Sequence, residues 1–163
     1  MIDTIVQFLD SFPRELATVI LATLPITELR LAVPIAMHTW LLSPLDALGY
    51  AIVGNLIPLI PLYFGLNWLR SITEKIAPWM TKVIDKSVDR AERRVRDKYA
   101  KYGALALFLF TALPLPLTGL WTATLAAVAL KIPFKYAIMG IIPGILTAGI
   151  IVTILSVSAD VLF

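Results

Sequence analysis

Two long apolar stretches, residues 16–69 and 103–159, flank a polar segment. Each is far longer than the roughly 20 apolar residues that cross a bilayer, so each has room for more than one membrane element. Neither divides into plain spanning helices. Residues 16–24 form an apolar run of nine. At about 1.5 Å per residue, a helix of that length reaches mid-bilayer and no further. It ends in Leu24-Pro25-Ile26-Thr27-Glu28-Leu29-Arg30. Pro25 removes a helical donor, and Thr27 is placed to cap a new helix with Glu28 in its first turn. That helix is predicted to run to about Leu42 and stop at Ser43-Pro44, with a long apolar helix following over about residues 45–69.

The second stretch repeats the plan. Residues 105–113 are again nine and again end in proline, within Leu113-Pro114-Leu115-Pro116-Leu117-Thr118-Gly119. A helix from about Thr118 to Leu130 is predicted to end at Lys131-Ile132-Pro133, with a long helix over about residues 134–156. Pro25 and Pro44 are 19 residues apart, as are Pro114 and Pro133, and the offset of 89 also lays Gly54-Asn55 on Pro143-Gly144. Coincident breakers at one offset point to an internal repeat. Half-length helices meeting at a break predict re-entrant hairpins, and non-helical backbone at that depth must lie against protein or a water-filled cavity. A hairpin plus one spanning helix crosses the membrane once, so the repeats are expected to be inverted, a plan common among secondary transporters.

Composition agrees with a membrane setting. Charged residues are 15% of the chain and hydrophobic ones 59%, against about a quarter charged in soluble domains. This excludes a soluble enzyme, a nucleic-acid-binding domain and a disordered chain. Of fourteen Lys and Arg, ten lie in residues 70–102. The re-entrant topology puts Lys131 and Lys135 on the same side as that linker, with Arg14 opposite and Arg30 within the membrane. By the positive-inside rule the linker is cytoplasmic and both termini are outside, in a multi-pass protein of the inner membrane. The expected organisation is one all-α membrane domain over 1–163. It comprises an N-terminal segment 1–15, a first repeat 16–69, the basic linker 70–102 and a second repeat 103–157.

The N-terminus lacks the positive region of a signal peptide and is read as retained. Its Ile2, Ile5, Val6 and Leu9 fall on one face of a short helix suited to the membrane surface. The linker, with Ile72, Ile76, Met80 and Val83 at helical spacing, is expected to lie amphipathically near the headgroups, anchored by Trp79, Tyr99 and Tyr102. Cysteine is absent and His38 is the single histidine, so no metal site and no cofactor are expected.

Glu28 and Arg30 carry the sharpest chemical signal, because ionisable residues at bilayer depth are costly and mark functional sites or pairs. Two residues apart on a helix they face different ways, so each needs a partner on another element. Arg30 suits an anionic group and Glu28 a proton or cation, with protonation coupled to transport. The structural alternative is a charged clamp between the repeats. The turns at Pro25 and Thr27, and at Pro114, Pro116, Thr118 and Gly119, would aim two helix N-termini inward, which favours anions. Asn55 either lines the cavity or satisfies backbone groups freed by Pro58 and Pro61. His38, near Trp40, is either an interfacial residue or a proton relay. Trp68 and Trp121 read as lipid-facing or packing aromatics. Gly140, Gly144 and Ala148 form a small-residue stripe for helix packing, within the subunit or in a homodimer.

Leu24-Pro25-Ile26-Thr27-Glu28-Leu29-Arg30 with Ala32-Val33-Pro34, and Ala112-Leu113-Pro114-Leu115-Pro116-Leu117-Thr118-Gly119-Leu120-Trp121-Thr122, resemble the signatures of the small multi-drug export protein family. The resemblance runs from about Leu16 to Leu155. That family is in turn similar to the DedA/VTT membrane proteins, which include polyprenyl-phosphate flippases and lipid scramblases with two opposed re-entrant hairpins. The resemblance implies that Glu28 and Arg30 are the acid and base of the first hairpin, and Pro114, Pro116 and Thr118 the turn of the second. The second hairpin has no arginine, where the DedA proteins carry basic residues. The function expected first is a transporter or flippase for a small or lipid-linked anion, working in the lipid bilayer and proton-linked through Glu28. Export of small cationic or apolar drugs, with Glu28 neutralising the cargo, is the second. A non-transporting scaffold acting through the linker is the third.

Overall fold

A computed structural model describes residues 2–76, 102–114 and 118–162, all helices and turns. The helices are α1 (Ile2–Leu9), α2 (Arg14–Thr23), α3 (Glu28–His38), α4 (Pro44–Leu56), α5 (Leu59–Ile76), α6 (Tyr102–Ala112), α7 (Leu120–Ala129) and α8 (Phe134–Leu162). Among the described residues, two stretches are long and apolar enough to cross a membrane, Pro44–Leu66 and Phe134–Ala159. Short helices stand where half-length elements were expected, with shifted ends: α2 has 10 residues, α3 has 11 and α7 has 10. The linker prediction over 77–101 lies outside the described residues. Within its first turns α5 continues to Ile76, and Tyr102 opens α6.

The distribution of side-chain size separates this bundle from a water-soluble one. Its centre is rich in alanines, with Ala17, Ala32, Ala36, Ala47, Ala51, Ala123, Ala127 and Ala137 wholly buried beside a few larger residues such as Leu21, Leu120 and Ile141. Many large apolar side chains face outward as well, including Leu45, Val53, Ile60, Phe64, Met139, Ile150 and Ile154. In water such a surface is an aggregation liability. In lipid it is the expected arrangement, because small residues let helices approach while Leu and Ile face the acyl chains.

The glycines show where the helices come closest. A Cβ on Gly54 would meet the Val19 backbone and lie 2.9 Å from Ala22 Cβ, so α4 rests directly on α2. A Cβ on Gly144 would lie 3.0 Å from the Phe108 carbonyl and 2.7 Å from Thr111 Cβ, so α8 rests on α6 in the same way. Phe108 and Thr111 stand 89 residues after Val19 and Ala22, the offset read from the prolines. Gly140 likewise abuts Ala104 and Leu107 of α6, so the glycines of the α8 stripe pack within the subunit.

Three local departures from the sequence reading have physical causes. The run 45–69 is two helices with a turn at Ile57-Pro58. Pro58 has no N–H for the Gly54 carbonyl four residues back, and the Thr23 hydroxyl donates to that carbonyl instead at 2.9 Å. One of the two roles open to Asn55, satisfying a backbone group freed by Pro58, is thus taken by Thr23 from α2. Helix α3 ends at His38 rather than Leu42, as Leu41 takes φ 53. Ser43 then caps α4, accepting from the Asp46 N–H at 3.2 Å. Thr27 stands at the start of α3 but gives no side-chain cap; its hydroxyl donates backward to the Leu21 carbonyl, closing the turn. Helix α1 forms, but its apolar face is turned onto the bundle rather than left for a membrane surface, with Leu9 buried and Ile5 and Val6 against the core. The Trp40 indole N–H binds it to the bundle by donating to Asp10 at 2.7 Å.

Candidate functional site

The two proline turns meet around a cavity of about 540 Å³. The first turn and α3 supply Pro25, Ile26, Thr27, Glu28, Arg30 and Leu31; the second turn and α7 supply Pro114, Thr118, Trp121 and Thr122. Every site residue read from the turns and placed by the structure is therefore at or beside this cavity. Gly119 adjoins it through Glu28, and Pro116 lies outside the described residues. Asn55 is different. It is 1% exposed in α4, with Oδ1 unpartnered among the described residues, and is not among the cavity's lining residues.

The charged residues part company, as their spacing requires. The Glu28 side chain crosses to the second hairpin, where Oε1 accepts from the Trp121 N–H at 3.4 Å. Helix α7 starts at Gly119 without a cap from its own side chains, so a carboxylate from the other hairpin serves its N-terminus. Arg30 reaches the opposite pole, donating to the Leu113 carbonyl at 3.3 Å, at the end of α6, and to Thr118 Oγ1 at 3.0 Å. Thr118 in turn donates to the Leu113 carbonyl at 2.8 Å. An acid at a helix start and a base at a helix end both match the helix dipole. A further tie runs from the Trp121 indole N–H to the Thr23 carbonyl at 3.3 Å.

The clamp geometry bears on the anion expectation. The start of α7 is occupied by the protein's own carboxylate, and the Thr118 hydroxyl is turned to Leu113 and Arg30. Glu28 itself is 8% exposed and borders the cavity. Among the described residues its carboxylate accepts a single hydrogen bond. His38 is exposed at the end of α3 and does not line the cavity.

Trp121, Thr122, Ile26 and Leu31 were not identified as site residues from the sequence. Trp121 had a usable signal, since it falls in the first turn of the helix leaving the second proline turn. Ile26 and Leu31 had none: they are ordinary apolar residues, and only the meeting of the two turns makes them walls.

The chain belongs to the family described as Putative small multi-drug export protein, whose profile matches residues 28–151. The match starts at Glu28 and takes in both inner half-helices, the second turn and most of α8. No curated relative and no solved structure matches the chain. The export family, together with two apolar stretches among the described residues long enough to cross a bilayer, points to a membrane protein and is consistent with a transporter.

Proposed function

We propose that this small multi-drug export protein moves amphiphilic compounds bearing a cationic group, held between the two proline turns with the Glu28 carboxylate as counter-charge. The observation that carries this is the carboxylate itself: buried, on the cavity wall, and holding one hydrogen bond among the described residues. A buried carboxylate with unused acceptor capacity favours a further donor, and an ammonium group and a proton both qualify. Exchange of one for the other at Glu28 couples export to proton entry. Ile26, Leu31 and Trp121 receive the apolar body of the cargo. Arg30, directed to Leu113 and Thr118, holds the hairpins together.

In this reading the turns lie near the bilayer midplane, each hairpin enters and leaves on one side, and the units α2–α4 and α6–α8 insert in opposite senses. The half-length helices support it, as do the residues that the glycines rest on, Val19 and Ala22 in α2 and Phe108 and Thr111 in α6, which recur at an interval of 89. The basic linker 70–102 then faces the cytoplasm. A second reading keeps the small or lipid-linked anion as cargo, favoured by Arg30 and Thr118 both lining the cavity.

Proteoliposomes loaded with a cationic dye (ethidium) or an anionic one (carboxyfluorescein) separate the two. Glu28→Gln is expected to lower cation movement by roughly a hundredfold while leaving folded yield intact, the mark of a lost cargo interaction. Arg30→Gln is expected to lower folded yield, with the folded fraction still moving cations. Anion transport lost on Arg30→Gln, and unchanged by Glu28→Gln, would establish the second reading. No movement of either dye by the parent protein, with folding lost equally in both variants, would leave the clamp as a structural device. The absence of native cysteine lets single cysteines at Ser11, Ser43 and Ser87 report sidedness in the same vesicles. Ser11 and Ser43 are expected on one side and Ser87 on the other.

A further inference from the structure

Gly119 opens α7, and the space its side chain would fill is already taken. A Cβ there would lie 2.6 Å from the Glu28 carboxyl carbon and 2.7 Å from Oε1, too close for any residue larger than glycine while Glu28 stays in place. The backbone on the other side is equally committed. Glu28 has φ 44, a left-handed conformation that non-glycine residues adopt only when their surroundings hold them there. The result is a carboxylate brought across from another hairpin, through a gap left by a missing side chain, onto the Trp121 N–H.

From this fit we infer that Gly119 is a positioning residue: its bare Cα forms a slot that docks the Glu28 carboxylate on the start of α7 and fixes where it meets the cavity. The role in export rests on the function proposed above, but the slot itself does not. Two physical consequences follow. A methyl at 119 displaces the end of the Glu28 side chain, the most easily moved group in contact with it, and separates the carboxylate from the Trp121 N–H. Shortening the acid by one methylene withdraws the carboxylate from the slot and makes room for that methyl. The two substitutions therefore compensate each other, although each alone is harmful.

The test is a double-mutant cycle on Gly119→Ala and Glu28→Asp, read by thermal unfolding in detergent and by cation export in proteoliposomes. Gly119→Ala is expected to lower the unfolding temperature and to raise the KM for ethidium by about tenfold, with kcat changed less. In the Glu28→Asp background the same alanine is expected to change neither. Effects that simply add in the unfolding measurement would overturn the slot. If Gly119→Ala alone does not fold, recovery of folded protein on adding Glu28→Asp supports the slot, and no recovery overturns it. Compensation in unfolding without any effect of either change on export keeps the slot and removes the transport reading of Glu28.

Discussion

In the first hairpin Glu28 and Arg30 stand two residues apart, whereas the second hairpin has no charged residue from Gly103 to Leu130. Their frames are nevertheless matched. Each turn is closed by a threonine hydroxyl that donates back toward the preceding helix, Thr27 to Leu21 and Thr118 to Leu113. Each outer half-helix, α2 or α6, lies against a glycine of the long helix that follows, Gly54 or Gly144. The difference lies in what each hairpin offers the other: the first offers charged side chains, the second the ends of its own backbone. An apolar hairpin can thus receive two charges without a counter-charge, because the start of α7 and the end of α6 carry opposite partial charges. A hairpin therefore needs no charges of its own to share in a polar site.

The shared frame is where the largest effects are expected. Gly54→Val and Gly144→Val each drive a branched side chain into the backbone or Cβ of the facing helix. Each is expected to destabilise by about 3 kcal/mol or more, as overpacked or strained core positions do. Thermal unfolding in detergent checks this, and a mild effect at one glycine beside a severe one at the other would break the equivalence of the two hairpins. The unequal chemistry comes next. Arg30→Met keeps length and apolar stem but leaves the Leu113 carbonyl and the Thr118 hydroxyl without their cationic donor. The expected loss is about 2 kcal/mol, the range for a hydrogen bond to a charged group. A loss no larger than that of an exposed control such as Lys135→Gln would show that Arg30 does not hold the hairpins together.

Much of this frame was legible in the sequence because prolines and charges inside apolar runs are local signals. Pro25, Pro114 and the pair Glu28/Arg30 marked the turns and the cavity without any knowledge of packing. The clamp was legible only as an alternative, since its partners are backbone groups: nothing in the sequence says that Glu28 reaches the N–H of Trp121, or Arg30 the carbonyl of Leu113. The single helix expected over 45–69 failed for a related reason. Pro58 was visible in the run, but a proline need not end a helix, as Pro34 in α3 and Pro143 in α8 show; here the Thr23 hydroxyl of another helix takes the Gly54 carbonyl, a contact that no local pattern announces. Gly119 was noted as part of a turn, but its contact with Glu28 exists only once the hairpins meet.

The smallest effects sharpen the comparison most finely, because they separate the two threonines that close the turns. Thr27→Val removes one hydroxyl donor, that to the Leu21 carbonyl. Thr118→Val removes a donor to Leu113 and also the acceptor for Arg30. Valine matches threonine in shape, so packing is largely unchanged and the hydrogen bonds alone are lost. The first change is expected to cost about 1 kcal/mol and the second somewhat more, in line with one neutral bond against one neutral and one charge-assisted bond. The distinction is decided by repeating both in the Arg30→Met background. There the excess cost of Thr118→Val should disappear, since its charged partner is gone, while the cost of Thr27→Val stays the same. An excess that persists without Arg30 would mean that the second turn is intrinsically more dependent on its threonine, and that the asymmetry between the hairpins begins in their backbones rather than in their charges.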